Sequence, residues 1–179
     1  MKYLRRFLFF ITSRMFWVTL LSAVFVISFY LAMNAANIYI VITDGLKARA
    51  GVVLMQEDAS ELSKFFGRDF LETDETLRVG MSDASPYANY DIRGFDHRVR
   101  MVSVWSWPWE NVARAEIIES IPAIDGTIRA SRREAALAAG GEERLSPPAW
   151  ATSRYRVTLT RTAGRWMISN LQLIEQMEE

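Results

Sequence analysis

Met15-Phe16-Trp17-Val18-Thr19-Leu20-Leu21-Ser22-Ala23-Val24-Phe25-Val26-Ile27-Ser28-Phe29-Tyr30-Leu31-Ala32-Met33 divides this chain, and a softer tail through Asn34, Asn37 and Tyr39 carries the uncharged run on to Thr43. About 20 apolar residues at ~1.5 Å rise per residue cross a hydrocarbon core ~30 Å thick, and this run exceeds that length. Lipid offers the backbone no hydrogen-bond partner, so such a segment must satisfy its own amides as a helix. The expectation is a transmembrane helix over 15–43 that holds the protein to the lipid bilayer. Phe16, Trp17, Tyr30 and Tyr39 stand ready as aromatic anchors towards the two interfaces.

Working outward, the charges set the orientation. Lys2, Arg5, Arg6 and Arg14 precede the run with no acidic residue among them, and all 21 acidic residues follow it. The positive-inside rule keeps residues 1–14 in the cytoplasm and places 44–179 outside it as one extracytoplasmic domain. A cleaved signal peptide is the rival reading, prompted by Ala32-Met33-Asn34-Ala35. Signal cores are usually 7–15 residues, so the length favours an uncleaved signal anchor. The exported remainder is mildly acidic, which argues against nucleic acid as a partner. The absence of cysteine removes disulfides, thiolate metal sites and a lipoprotein anchor from consideration.

Phe7-Leu8-Phe9-Phe10-Ile11, between Arg6 and Arg14, is too short to span and reads as an interfacial prelude. Beyond the run, Leu46, Val53 and Leu54 keep a helical spacing, so the membrane helix can continue towards Met55. Asp58-Ala59-Ser60-Glu61 is a helix start, with Asp58 as cap, Leu62, Phe65 and Phe66 on one face and Gly67 as a stop. Residues 80–91 are rich in turn formers. Strands are expected from Arg98, first through Trp105 and Trp107, then over Val112 to Ile121 with Ala113, Ala115, Ile117 and Ile121 on one face and Arg114, Glu116 and Ser120 on the other. Pro108 should end the first of these or force a bulge. An exposed insertion over 131–149, with a helical turn or two, interrupts the pattern. The last unit alternates cleanly: Tyr155, Val157 and Leu159, a turn at Thr162-Ala163-Gly164-Arg165, then Trp166 and Ile168 before a polar tail. The class is α+β, with helices packed on a curved antiparallel sheet.

Leu62, Phe65, Phe66, Asp69 and Phe70 in the early helix, with Gly164, Trp166 and Ile168 opening the last strand, resemble the cystatin-like, nuclear-transport-factor-type cone fold. Single-span proteins similar in this way include assembly factors of type IV secretion and conjugation machines and some sporulation and cell-envelope proteins. The resemblance implies a cone-shaped domain outside the membrane. The interruption at Trp107-Pro108-Trp109 and the 131–149 insertion depart from the compact form.

The candidate chemistry is sparse. His97 is the sole histidine and, between Asp96 and Arg98, reads as a solvated loop residue. Asp69 suits a turn or cap better than a cavity carboxylate. No nucleophile elbow and no phosphate-binding glycine loop is present, so no catalytic, cofactor or metal residues are assigned. Alternation puts Trp105 and Trp107 on the core face and leaves Trp109 exposed. Trp109 and the cations Arg129, Arg132 and Arg133 are the candidate interaction surface. The expected function is a protein–protein interaction or scaffold module in a cell-envelope assembly, contacting other envelope proteins or itself. The alternative is a pocket inside the cone that binds a small ligand or hosts an enzyme.

Overall fold

The computed structural model describes residues 2–107 and 109–177; the expectation for Pro108 lies outside them. One helix, α1 (Lys2–Met55), is 54 residues long and runs without a break through every part of the N-terminal sequence. The segment around Phe9 and Phe10 is continuous with the main helix. Residues 9–30 are exposed throughout, and within Phe9–Met55 the helix is long and apolar enough to cross a membrane. From Asn34 onward one stripe turns inward. Asn34, Ile38, Ile42, Leu46, Arg49 and Val53 are all buried, at the spacings of four and three that share a helix face. The apolar run and the domain thus overlap, since Ile38 and Ile42 are core residues of the domain. The helix ends where Gln56 adopts a left-handed φ of 57°, a common device for satisfying the last carbonyls.

The stripe packs on an antiparallel sheet ordered β2-β3-β5-β6, made of β2 (Arg98–Trp105), β3 (Val112–Ile121), β5 (Trp150–Thr162) and β6 (Arg165–Met177). A second pair, β1 (Tyr90–Phe95) with β4 (Ile124–Ile128), prolongs the β2–β3 pair past a bend, where the Asp96 amide donates to the Ala123 carbonyl at 2.9 Å. Register shifts at Met101/Ser103, Glu119/Ile121 and Thr158/Leu159 bend and twist the strands in the way bulges do. Ala113, Ala115, Ile117, Val157, Leu159 and Ile168 share one buried core with Ile38, Ile42, Leu46 and Val53 of the helix stripe. Each of the Ile, Val and Leu side chains among them contributes about 1.5–3 kcal/mol where burial is complete. Gly45 permits a close approach, because a Cβ there would stand 3.0 Å from that of Phe65 and 3.2 Å from Ile168 Cδ1.

Short helices close the remaining side. A 3-10 turn over Ala59–Lys64 is capped by Asp58, whose carboxylate accepts from the Ser60 amide; Glu61 pairs with Lys64 and does not reach back to the cap. Leu62 and Phe66 are buried and Phe65 half-buried, as their spacing predicts. Gly67 follows, its amide donating to the Ile168 carbonyl at 2.8 Å, and it begins α2 (Arg68–Thr73) as well as ending the turn before it. Next comes α3 (Glu75–Gly80).

Three expectations need correction. The turn-rich composition before Arg98 hides strand β1, which is short and carries Gly94 at its irregularity. The tail beyond Ile168 is strand, since β6 pairs with β5 as far as Met177. Trp105 and Trp107 are exposed, because the register shift between Met101 and Ser103 reverses which side chains face the core. The β5–β6 turn forms as expected, with Ala163 and Gly164 both at positive φ (49° and 81°), the twist that tight hairpins require. The 131–149 insertion holds one helix, α4 (Arg133–Gly140), and a 3-10 turn over Gly141–Leu145.

Candidate functional site

Two buried polar junctions fasten α1 to the domain. At the first, Asn34 is 5% exposed and uses both ends of its amide. Its Nδ2 donates to Ser106 Oγ at 3.0 Å, while its Oδ1 accepts from Trp166 Nε1 at 2.8 Å and Arg161 Nη2 at 3.0 Å. Arg161 also lies over the Trp166 ring, 4.5 Å from its centroid, and Nη1 reaches Tyr30 Oη at 3.4 Å. A single helix side chain thereby ties down the end of β2, the end of β5 and the start of β6.

Three residues beyond Leu46 on the stripe, Arg49 makes the second junction. Its Nε and Nη2 donate to the two carboxylate oxygens of Asp74 at 2.6 and 3.0 Å. Asp74 also caps α3 through the Thr76 amide. Burial pulls the Arg49 guanidinium down, but the hydrogen bonds and charge of Asp74, helped by Glu119, more than offset it and hold the group above its ordinary pKa. Nearby, His97 Nε2 and Glu119 Oε1 are 2.9 Å apart, with side chains 1% and 0% exposed. His97 is thus an interior residue and not a solvated loop histidine; the strand pairing that follows Phe95 carries it inside. Burial, with the Glu119 charge second, raises the Tyr155 phenol above its usual range.

Tyr155 and Ser153 also face a cleft of about 420 Å³, whose rim includes Thr76, Tyr87, Trp150 and Gln176. The interior therefore holds the Arg49–Asp74 ion pair, the His97–Glu119 contact and a phenol, with the cleft on one side of them. Among the described residues no three His, Asp or Glu side chains gather as a metal site. The chemistry at hand is hydrogen bonding and charge pairing.

The residues singled out from sequence fall in different places. Trp109 is 76% exposed and stacks on Trp107, with ring centroids 5.1 Å apart. Arg129, Arg132 and Arg133 are exposed but follow β4, at the opposite end of the long β1–β2/β3–β4 ribbon. Arg132 lines a groove of about 340 Å³ with Tyr90 and Arg144. Asp69 sits in the exposed first turn of α2, away from the interior. The structure does not join Trp109 with the three arginines. Sequence reasoning passed over Asn34, Arg49 and Glu119, although each carries a signal: two lie on the apolar stripe of α1, and Glu119 shares the parity of Ala113, Ile117 and Ile121.

The architecture is that of an α+β domain with antiparallel sheets on a long N-terminal helix. No protein-family model matches the chain, and no curated protein matches it. Among solved structures it is similar to the Kfla4162 protein from Kribbella flavida, with a TM-score of 0.47 and 12% identity, over 80% of this chain and 95% of that one.

Proposed function

We propose that this is a single-pass membrane protein, cytoplasmic at its N-terminus, whose exported cone-type domain docks on other envelope proteins or on a second copy. The observation that carries the reading is the outer edge of β6. β6 is the last strand of its sheet. Phe66 bridges it at Ile168, and no strand among the described residues covers Asn170–Met177 on that side. Leu173 and Ile174 are 49% and 41% exposed there, with no proline or lysine to blunt the edge. Unpaired amides beside apolar side chains are what an added strand uses. The buried junctions at Asn34 and Arg49 support the same reading, because they hold that edge at a set angle to the span.

The chain's lack of cysteine makes the test clean. Leu173→Cys in the full-length protein should react with a membrane-impermeant maleimide on intact, wall-stripped cells, whereas Lys2→Cys should not. A short bifunctional crosslinker at Cys-substituted 173 should then trap one discrete partner or a dimer. The reverse labelling pattern would refute the topology, and a monomer at every crosslinker length would refute the docking edge.

A second reading has its own observation, the cleft above Tyr155 and Ser153 beside the buried His97–Glu119 pair. It assigns the domain a small polar ligand. His97→Ala or Tyr155→Phe protein that folds and keeps its crosslinked partner, yet loses cellular function, would favour this reading over docking.

A further inference from the structure

We propose that the domain is seated on the bilayer its own helix crosses, with Trp105, Trp107 and Trp109 in the lipid headgroup layer; this rests on the membrane reading of α1. The three rings are 58%, 41% and 76% exposed. They pack on one another, Trp105 edge-on to Trp107 at 5.1 Å and Trp107 stacked on Trp109. The result is one aromatic ridge on the outside of the loop after β2, with no part in the core.

Its height along α1 is set by hydrogen bonds. Ser106, between two of the tryptophans, accepts from Asn34, and Trp105 shares a crevice with Leu31, Ala35 and Ile38. Arg14 is the last cation before the apolar run. At ~1.5 Å per residue, the helix from there to Asn34 is about 30 Å long, the thickness of the hydrocarbon core. Asn34 thus marks the outer boundary of the core, and the ridge lies at that level. Tryptophan, with an apolar ring and one N–H donor, favours this layer.

The neighbouring charges fit. The Arg161 amide donates to the Asn111 carbonyl at 2.8 Å, tying the β5–β6 turn to the tryptophan loop. That turn presents exposed Arg165, and Arg114 pairs across from Trp105. Arginines beside interfacial aromatics reach lipid phosphates. Glu110 is the one acidic side chain within the loop.

The test uses full-length Trp17→Phe protein reconstituted in phosphatidylcholine/phosphatidylglycerol vesicles, with lipids brominated just below the headgroup as quenchers. The bromolipid-quenched emission should fall by about half or more when Trp105, Trp107 and Trp109 all become Ser, since Trp166 is buried and Trp150 stacks on Tyr87. The melting midpoint should hold, as the rings are on the surface. Aqueous iodide reaching the three tryptophans as readily in vesicles as in a peptide of the loop would overturn the proposal. So would protection that appears only on adding a soluble glycan or protein. A Trp17→Phe, Val24→Trp protein with the three loop tryptophans replaced separates the two readings, since residue 24 is about 15 Å from Arg14 along the helix and so half-way across the core. Quenching of that tryptophan by lipids brominated at mid-chain, with none at the loop in the first protein, would remove the seating and leave the span. No mid-chain quenching at position 24 would remove the span itself.

Discussion

Trp166 Nε1 donates to Asn34 Oδ1 at 2.8 Å across 132 positions of sequence, so the last strand of the domain is bonded directly to the helix that carries the apolar run. Arg161 shares the same oxygen. Because these donors are buried, the helix cannot turn about its axis without stranding them. A buried amide of this kind fixes register as much as it adds stability.

Replacing that amide is the first expectation. Asn34→Ala should destabilise the full-length protein in detergent by about 1–3 kcal/mol, the penalty for leaving buried donors unmatched. Asn34→Asp keeps an acceptor for Trp166 and Arg161 and should lose less. Thermal melts followed by near-UV circular dichroism would rank the two, and equal losses would contradict the role of Oδ1.

Arg49 and Asp74 should behave as a coupled pair. Arg49→Met leaves a buried carboxylate without its partner and should cost about 3–5 kcal/mol. Asp74→Asn preserves an acceptor for the α3 cap but leaves the guanidinium uncompensated. In the double variant neither charge remains, so its loss should fall short of the sum of the two single losses. Additive losses in a double-mutant cycle would mean that the contact contributes nothing of its own.

The closing hairpin separates core from surface. Trp166 is 5% exposed, and Trp166→Ala should cost about 3–5 kcal/mol. Arg156 lies on the other face, half-exposed and 3.2 Å from Glu116; Arg156→Ala should cost about 0–1 kcal/mol. Denaturant melts of the full-length protein would show similar losses only if the register were displaced by one residue.

How much of this was legible follows from what each element's local pattern contains. Val112 to Ile121 and the hairpin about Gly164 alternate over long stretches, and their faces came out as read. β1 was hidden because its few residues include a glycine and follow a run of turn formers. Counting alternate positions puts Trp105 and Trp107 inside, and the shift at Met101/Ser103 breaks that count. A bulge depends on the partner strand, so the β2 sequence alone does not announce it. The polar junctions failed for a different reason. Asn34 reads as part of the uncharged run, and Arg49 as a charge just beyond it, whereas the stripe they share with Ile38, Ile42 and Leu46 faces protein. His97 lies next to Asp96 in sequence, but its partner Glu119 is 22 positions away, a distance that only sheet topology closes.

Tyr155 gives the last expectation, a loss of stability at alkaline pH. Its phenol is raised above the ordinary value of 10.0 by burial, with the Glu119 charge adding to it. The unfolded chain therefore gives up this proton at a lower pH than the folded one. The stabilisation tied to the neutral phenol is complete below the ordinary value and is lost as pH rises through the folded value. Melting midpoints of the full-length protein should thus fall as the pH climbs past about 10, with tyrosinate absorbance appearing late for this residue. Tyr155→Phe removes the titration and should flatten that decline. Part of the slope should persist, because burial raises Tyr87 in the same direction, and only Tyr87→Phe combined with Tyr155→Phe should bring it close to level. An alkaline limb unchanged in both variants would place the titration elsewhere and deny Tyr155 its buried, charge-facing position.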